Sequence, residues 1–590
     1  MMKNRYVHLL FFLTVLSFLP IIQHSSAQVS SLSNPPNVNQ QLVTYQKKSN
    51  FFHEFNLPLS VDQRGLKGIA TDYQGNPWLY YQTNKTSKII KFNIVNNTFT
   101  SYPVEGKTVT DSPVINLAGG QLIYDQKRNS IWFTDARINA LGSLDIQSGK
   151  VAIYRIPTNN SGIMGLELSP DDNSIWFAEI IGNKIGSFDI NSKTITEYPT
   201  GDNSGPTLLS FDIKGELWVT LSYSNSILKV QPWLLVPESR AAGMSEIRLA
   251  KPDIFSPFGI AITQNKHNVN RMFLSDHGSS RVIVSNLSTE LNNYISYWTS
   301  PSQAYPASLP SQVVSDKFGN IYFPQHGGNK ISKISAETGL MTEFDIPTGP
   351  LATVVYLAVP PDASKVWFTE WASNRIAYLD NTLKVPLDLK IQSNLSPPIL
   401  KINQTYPLNI SVTHIKDNLS LLALNQIELS AVGLTDSGLH GLTYIAKPQR
   451  FNLSETPIIS GTIDFSVNNE AVAGTYTVMA RVSTLERDNL TVSLLFPQSV
   501  ILDVPIHKSQ LQNFPTSVKE QPSDAFSILR DIARYASIGV AVTLIAYLVS
   551  RKIRMRRERR NKADKCSIVK YLGSERNILS SQPIKTQATR

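Results

Sequence analysis

The sequence predicts an all-β fold, in which a seven-bladed β-propeller is followed by an immunoglobulin-like β-sandwich and one C-terminal transmembrane helix. A short aromatic motif recurs seven times at intervals of 42 to 55 residues. Alternating apolar and polar residues continue after the last copy, and an uncharged run near the C-terminus is bounded by arginines. A chain of 590 residues also exceeds one hydrophobic core, because single cores stop growing near about 250–300 residues.

Each copy of the motif is an aromatic residue within a short apolar strand. The copies read NPWLYYQ, SIWFTDA, SIWFAEI, ELWVTLS, RMFLSDH, NIYFPQH and KVWFTEW, and their anchors are Trp78, Trp132, Trp176, Trp218, Phe273, Tyr322 and Trp367. An apolar segment and a turn rich in Asp, Gly and Asn precede each copy, and further alternating segments follow it. Four strands per repeat predict a propeller over residues 51–384, with the anchors packed between blades.

The last repeat lacks a fourth strand. The segment at residues 51–58, FFHEFNLP, matches the fourth-strand segment MTEFDIP of the sixth repeat. We therefore expect the N-terminal segment to complete the last blade. Closing the ring in this way protects strand edges that would otherwise expose unpaired backbone groups.

The remaining segments predict a displayed protein with a stalk and a membrane anchor. A basic, apolar and small-residue pattern over residues 1–27 is typical of a signal peptide. Alternating strands at 385–505 predict the sandwich, and the polar, proline-containing stretch at 506–530 predicts a linker. The uncharged run YASIGVAVTLIAYLVS predicts a transmembrane helix at 531–553, followed by a basic cytoplasmic tail at 554–590.

The positive charge of the chain is concentrated in the tail. Residues 551–590 contain 13 Lys and Arg against 3 Asp and Glu, whereas residues 1–550 contain 42 of each kind. We therefore expect a plasma-membrane protein with its N-terminal ectodomain outside, whose basic tail touches anionic lipid, and no nucleic-acid partner. The single cysteine, Cys566, excludes an intramolecular disulfide.

Ten glycosylation sequons occur before the predicted transmembrane helix and none follows it. This distribution agrees with an outside ectodomain and predicts a glycoprotein if the host glycosylates. The sequon asparagines are Asn84, Asn96, Asn159, Asn286, Asn394, Asn403, Asn409, Asn418, Asn452 and Asn489.

The residues directly after each motif are expected to form a rim around one mouth of the propeller channel. The first rim position reads Tyr81, Asp135, Glu179, Leu221, Asp276, Gln325 and Glu370, and the second reads Gln82, Ala136, Ile180, Ser222, His277, His326 and Trp371. Carboxylates suit a hard cation, and histidine accepts protons near neutral pH.

Three interpretations of the rim stay open, and the third of them is ligand binding without chemistry. In the first, Asp135, Glu179, Asp276 and Glu370 hold Mg²⁺ or Ca²⁺, and His277 or His326 is the catalytic base. In the second, the carboxylates end strands and pair with turn amides or with Lys184, Lys330 and Arg375. Five asparagines recur four positions after the first rim position and are interpreted as turn residues. They are Asn139, Asn183, Asn225, Asn329 and Asn374.

Two copies of the repeat, SIWFAEIIGNKIGSFDINSKTITEYPT and KVWFTEWASNRIAYLD, resemble the streptogramin B lyase (virginiamycin B lyase) family. The resemblance covers roughly residues 51–380 and implies a seven-bladed propeller. It also implies a magnesium-dependent carbon–oxygen lyase that opens an ester-closed cyclic peptide, with a histidine base and carboxylates on the metal. The family places a substrate-binding histidine in a PHGI-type loop, which here reads SPFGI, with Phe258 replacing the histidine.

Two functions follow from these observations. The chain is either a recognition or envelope-scaffold module for a peptide, glycan or protein, or a metal-dependent lyase or lactonase-type enzyme. The residues leave open whether it is an enzyme. Signatures of common hydrolases and nucleotide enzymes, such as GxSxG, HExxH and the Walker loop, are absent from the sequence.

Overall fold

The computed structural model describes most of the chain between residues 43 and 504. The gaps in that range are 60–64, 84, 110–118, 238–241, 249–255, 265–269, 288–293, 393–396, 417–420 and 433–440. The predicted signal peptide, linker, transmembrane helix and basic tail lie outside the described residues, as do the sequons at Asn84, Asn394 and Asn418. None of the helices found in the described ranges has the length and apolarity to span a bilayer.

The regular structure is almost entirely antiparallel β-sheet. Two strands open it: β1 (Val43–Gln46) and β2 (Phe52–Asn56). Blades I and II consist of β3 (Leu66–Thr71), β4 (Pro77–Gln82), β5 (Ser87–Asn93), β6 (Thr98–Val104), β7 (Leu122–Asp125), β8 (Ser130–Asp135), β9 (Ala140–Asp145) and β10 (Val151–Arg155). Blades III and IV consist of β11 (Ile163–Leu168), β12 (Ser174–Glu179), β13 (Lys184–Asp189), β14 (Ile195–Pro199), β15 (Pro206–Phe211), β16 (Leu217–Leu221), β17 (Ser226–Val230) and β18 (Met244–Arg248). A 3-10 turn, Pro232–Leu234, precedes β18.

Three further blades complete the repeat. Blades V and VI consist of β19 (Pro257–Gln264), β20 (Asn270–Asp276), β21 (Arg281–Asn286), β22 (Tyr294–Trp298), β23 (Val314–Ser315), β24 (Ile321–Gln325), β25 (Lys330–Ile334) and β26 (Met341–Asp345). Strand β27 (Thr348–Pro350) pairs with β1. Blade VII consists of β28 (Leu357–Ala358), β29 (Lys365–Glu370), β30 (Arg375–Asp380) and the N-terminal strand β2.

The blades form a closed, propeller-like ring. Contacts join the first strands of blades I to VI in order, continue from β24 of blade VI to β28 of blade VII, and return from β28 to β3. Strand β2 pairs with β30 from Phe52 opposite Leu379 to Asn56 opposite Arg375. The prediction that the N-terminal segment completes the last blade is therefore confirmed.

The aromatic anchors are buried, as the repeat predicts, and four of them are also hydrogen-bonded. All seven anchors expose at most 5% of their surface. In four blades an aspartate in the preceding turn accepts a hydrogen bond from the anchor, which satisfies a buried donor. These pairs are Trp78 with Asp72 (3.0 Å), Trp132 with Asp125 (3.3 Å), Trp218 with Asp212 (3.1 Å) and Tyr322 with Asp316 (2.9 Å).

After blade VII the chain forms two facing sheets with a shared apolar core. One sheet contains β31 (Leu387–Gln392), β33 (Thr405–His414), β35 (Leu442–Lys447) and β37 (Ile458–Val467). The other contains β32 (Ile399–Lys401), β34 (Ile427–Val432), β36 (Arg450–Phe451), β38 (Gly474–Leu485) and β39 (Thr491–Asp503), with a 3-10 turn at Arg487–Asn489. Ile410 and Phe465 of the first sheet and Leu429 and Val482 of the second belong to one buried cluster.

The second sheet is continuous with the propeller, a feature that the sequence did not predict. Strand β39 pairs with β26, so blade VI continues directly into β39, β38, β34 and β36. The N-terminal segment adds a second connection, because Ser49 Oγ and Asn50 N donate hydrogen bonds of 2.7 Å to the carboxylate of Glu486. Both connections join regions that are far apart in the sequence.

Candidate functional site

The rim is built by the turn that follows the second strand of each blade. Strands β8, β12, β16, β20, β24 and β29 end at the first rim position. In five of these turns a recurring asparagine supplies the left-handed residue, with φ between 52° and 58°, and Ser280 supplies it after β20 with φ 55°. The predicted role of the asparagines as turn residues is therefore confirmed.

Hydroxyl groups connect this rim to the first strand of the next blade. The residue before the first rim position donates to a backbone carbonyl in four blades. The pairs are Thr134 to Met164 (2.9 Å), Thr220 to Phe258 (2.8 Å), Ser275 to Ser311 (2.5 Å) and Thr369 to Lys67. These bonds hold the first-strand residues in place beside the rim.

The structure brings the two predicted histidines together. The rings of His277 in blade V and His326 in blade VI meet edge to face, with centroids 4.8 Å apart. His277 Nδ1 lies 3.1 Å from the carbonyl oxygen of Pro310 and therefore carries the proton that it donates. In the part of the chain that the structure describes, His326 Nδ1 has no hydrogen-bond partner.

Both histidines are neutral at physiological pH. Burial lowers the pKa of His277 to about 4, although the Pro310 carbonyl opposes this effect. Burial, and then the neighbouring His277, hold the pKa of His326 well below its usual value. Phe258 covers the opposite side of His277, with ring centroids 5.4 Å apart and an interplanar angle of 28°. The three rings form one buried aromatic group.

Two of the predicted metal-binding carboxylates are paired with arginine in their own blade. Asp135 Oδ2 lies 3.6 Å from Arg137 Nη2, and Asp135 Oδ1 accepts from the backbone N of Ile138. Asp276 Oδ2 lies 3.3 Å from Arg281 Nε. Burial raises the pKa of Asp276, while Arg281 opposes that shift.

Glu179 faces a second glutamate instead of a cation site. Both of its oxygens are buried and lack a hydrogen-bond partner among the described residues. Burial, and then repulsion from Glu197 on β14, raise the pKa of Glu179 to about 9. The carboxylate of Glu197 is already held by Lys184 Nζ at 2.6 Å and by Thr158 Oγ1 at 2.7 Å. Glu179 is therefore a neutral acid at pH 7.

Blades VI and VII repeat this arrangement. In blade VI the first rim position is Gln325, whose Nε2 donates to Glu343 Oε1 at 2.7 Å. In blade VII it is Glu370, which accepts from Ser373 Oγ at 2.5 Å. Burial, and then Glu54 on β2, raise the pKa of Glu370 well above its usual value. Glutamine in blade VI thus occupies the place of the glutamates with raised pKa in blades III and VII.

The glutamates on the fourth strands were missed by the sequence reasoning, although a signal for them exists. The segments ITEYP, MTEFD and FHEFN place Glu197, Glu343 and Glu54 at the same strand position. On the first strands the sequence reasoning also missed Glu167, but not Lys67, which occupies the blade I position that Phe258 occupies in blade V. Burial lowers the pKa of Lys67 to about 7, although Asp135 opposes this shift. Burial raises the pKa of Glu167 to about 8.

Comparisons with known proteins found one matching family model and several similar structures. Residues 50–269 match the Virginiamycin B lyase family model, which is less than half of the chain. A streptogramin B lyase structure is 21% identical, with a TM-score of 0.45, and the match covers 56% of this chain and 97% of that one. Virginiamycin B lyase from Staphylococcus aureus is 20% identical, with a TM-score of 0.44 and coverages of 56% and 98%. The comparison with curated proteins found no match.

A third structure is a catalytically inactive variant of the Staphylococcus aureus virginiamycin B lyase with quinupristin. It is 19% identical, has a TM-score of 0.44 and covers 56% of this chain and 98% of its own. The family match and the repeated four-stranded sheets agree. The repeated four-stranded sheets form a propeller-like fold, and residues 50–269 of it are similar to the Virginiamycin B lyase family. This assignment concerns the fold and leaves the activity to the site residues.

The described rim carboxylates do not form a group that fits the magnesium ion implied by the family resemblance. The four candidate carboxylates lie in blades II, III, V and VII, and each is turned toward partners within its own blade. Across the described ranges, no group of three or more His, Cys, Asp or Glu side chains could hold a metal ion. A cation bound by Asp135, Glu179, Asp276 and Glu370 therefore stays a prediction, without a metal-binding group among the described residues to support it.

Proposed function

We propose that this chain is a cell-surface, membrane-anchored propeller that serves as a recognition or envelope-scaffold module for a peptide, glycan or protein. The observation that carries the proposal is the packing of Phe258 against His277. Phe258 stands where the family resemblance implies a substrate-binding histidine. Phenylalanine offers an aromatic contact but neither donates nor accepts a proton at that place.

The other blades do not restore the missing group. None of the seven first strands, within the bounds given above, carries a histidine. The two histidines that do meet, His277 and His326, are buried and neutral, and one of them contacts Phe258. These observations support binding over proton-transfer chemistry.

The proposal extends to the ends of the chain and to its second half. The signal peptide, the transmembrane helix at 531–553 and the basic tail would display the propeller outside the plasma membrane. The two facing sheets after blade VII would act as an immunoglobulin-like, glycosylated stalk. Protease shaving of intact cells tests this topology. Loss of propeller peptides with retention of the tail is expected, whereas protection of the propeller contradicts it.

Metal analysis of the purified full chain tests the choice between binding module and lyase. We expect less than one Mg²⁺ or Ca²⁺ per chain and the same melting temperature with either ion or with chelator. One tightly held ion per chain, lost in Asp276→Ala or Glu370→Ala, contradicts the proposal. Glu337→Ala, which removes an exposed carboxylate from the β25–β26 turn of blade VI, serves as the control.

A metal-dependent lyase or lactonase that opens a cyclic ester is the second candidate function. The match of residues 50–269 to the Virginiamycin B lyase family favours it. The adjacent His277 and His326 rings, together with Asp276 at the preceding position, supply a second supporting observation. In that case His326, whose Nδ1 has no partner among the described residues, would accept the proton.

A further inference from the structure

We infer that the second half of the chain carries a separate binding site for an acidic saccharide, on the sheet that continues from blade VI. A cavity of about 710 Å³ lies on one face of this sheet. That size falls within the range of about 300–1,000 Å³ that small-molecule sites span. This site is distinct from the propeller rim, and the inference does not depend on the function proposed for the propeller.

The cavity lies next to the area where the propeller covers the same sheet face. Along β38, Thr477, Met479, Arg481 and Ser483 alternate onto one face. Strand β22 of blade V covers the first two, since Ser296 N donates to Thr477 Oγ1 and Trp298 N contacts Met479 Sδ at 3.0 Å. The next two residues, Arg481 and Ser483, line the cavity instead.

The charges in the cavity favour an anion. Arg481, Arg450 and Glu428 line it, which leaves one excess positive charge. Glu428 and Arg450 are cross-strand neighbours, yet no described acidic or basic group forms an ion pair with any of the three. A planar guanidinium binds carboxylate or sulfate oxygens through two parallel hydrogen bonds. Arg450, and the N–H groups of Arg481 that do not donate to Ser493, can therefore bind an acidic ligand.

Arg481 is positioned before any ligand arrives. Its Nε and Nη2 donate to Ser493 Oγ on β39 at 3.2 and 3.0 Å. Its neighbours on β38, Ala480 and Val482, are fully buried, so the strand that carries Arg481 is anchored in the core. A side chain fixed on a packed strand gives a defined site, because little freedom is lost on binding.

The other lining residues favour a ligand rich in hydroxyl groups. Amide and hydroxyl side chains both donate and accept hydrogen bonds, as sugar hydroxyls do. Phe451 supplies one aromatic surface against which a sugar ring can pack. The polar lining residues include Asn425, Gln426, Ser430, Asn452, Ser483 and Thr491.

Calorimetric titration of the full chain with trigalacturonate tests the inference, with neutral maltotriose as the comparison sugar. We expect trigalacturonate to bind at least about tenfold more tightly than maltotriose, and the difference to shrink in high salt. Equal binding of the two sugars, or no binding of trigalacturonate, overturns the inference. Tighter binding of a phosphoserine peptide that trigalacturonate does not displace also overturns it.

Two substitutions locate the binding. Arg450→Ala removes an exposed cation from the cavity, and Arg481→Lys keeps the charge but loses the planar fork. Each should weaken trigalacturonate binding about tenfold at an unchanged melting temperature. Lys390→Ala, which removes an exposed cation from the opposite sheet, should leave the affinity unchanged. Equal affinities in all three variants contradict the site.

The chain's own sugar is the alternative occupant, since Asn452 lines the cavity and begins a sequon. The titration is therefore repeated with glycosylated and unglycosylated full chain. Similar affinities support a site for an external saccharide. Binding that occurs only without glycosylation would assign the cavity to the chain's own glycan and overturn the inference.

Discussion

The imidazole rings of His277 and His326 meet at an interplanar angle of 89° with their centroids 4.8 Å apart, although 49 positions separate them in the sequence. They come from equivalent rim positions of neighbouring blades, which the propeller places side by side. His277 is fixed by the Pro310 carbonyl and by Phe258. His326 has no such hydrogen bond among the described residues.

The burial of this histidine pair predicts that the folded chain loses stability in acid. The pKa of His277 is about 4 in the folded chain and near 6.5 in the unfolded chain, so the unfolded state binds more protons between these values. The contribution of the neutral histidine to the free energy of unfolding is therefore fully present above pH 6.5, and it is lost as the pH falls toward 4. His326→Phe removes one group whose protonation in acid favours the unfolded chain. The substitution should therefore raise the free energy of unfolding at pH 5 by about 2 kcal/mol.

Urea unfolding of the wild type and of His326→Phe at pH 5 and pH 7.5 checks this prediction. The variant should gain stability mainly at pH 5. His53→Phe is a matched control, because His53 stacks on Tyr378 at 4.7 Å on the outer strand and has no histidine neighbour there. An equal gain at both pH values would contradict the explanation.

A second prediction concerns the neutral acid Glu179. Its pKa, raised to about 9, means that the folded state holds a proton that the unfolded state releases above about pH 4.5. Stability therefore decreases as the pH rises from 4.5 toward 9. Glu179→Gln reproduces the Gln325–Glu343 pair of blade VI and should raise the free energy of unfolding at pH 8 by about 2 kcal/mol.

Asp135→Asn is the contrasting variant for this experiment. Asp135 faces the buried guanidinium of Arg137, so removing its charge leaves an uncompensated cation and should destabilise the chain at pH 8. Thermal unfolding from pH 4 to pH 9 measures both effects. Destabilisation by Glu179→Gln at pH 8 would show that Glu179 is charged in the folded state.

A third prediction concerns the aspartates that accept hydrogen bonds from the aromatic anchors. Asp212 accepts from Trp218 Nε1 and from the backbone N of Lys214 and Glu216. Asp212→Ala leaves these donors without an acceptor and should cost about 2–4 kcal/mol, measured by urea unfolding. Asp202→Ala, at an exposed position, should cost less than about 0.5 kcal/mol. Equal effects would contradict a specific role for the turn aspartate.

A fourth prediction concerns ring closure by β2. Phe52 contacts Phe368 and Phe344 edge to face, at 5.8 and 6.4 Å. Phe52→Ala should therefore cost about 3–5 kcal/mol and favour aggregation, because the edge of β30 becomes accessible. The matched control is Phe318→Ala, since Phe318 is 65% exposed. Similar unfolding free energies in the two variants would argue against closure by β2.

The repeat made much of the propeller predictable. Aromatic anchors, turn asparagines and the closing N-terminal strand all follow from self-similarity, because equivalent residues in a repeat occupy equivalent places. The β26–β39 pairing could not be predicted in this way, since it joins two unrelated segments through backbone hydrogen bonds that carry no side-chain signature. The fourth-strand glutamates were predictable in principle from ITEYP, MTEFD and FHEFN.

The rim was only partly predictable. Equivalent blade positions correctly indicated that His277 and His326 would be neighbours. Side-chain direction was not predictable, and it decides whether Asp135 and Asp276 face a common cation or the arginines of their own blades. Strand periodicity defines a face of the sheet but not which partner a carboxylate will choose.

Ring opening of a cyclic ester is the most direct test of the central claim that the propeller binds without catalysing the family reaction. The full chain is incubated with quinupristin and Mg²⁺, and linear products are followed by chromatography and mass spectrometry. Elimination leaves the mass unchanged, whereas hydrolysis adds one water. We predict no linear product above the buffer control. Magnesium-dependent opening that is lost in His326→Ala would contradict the claim.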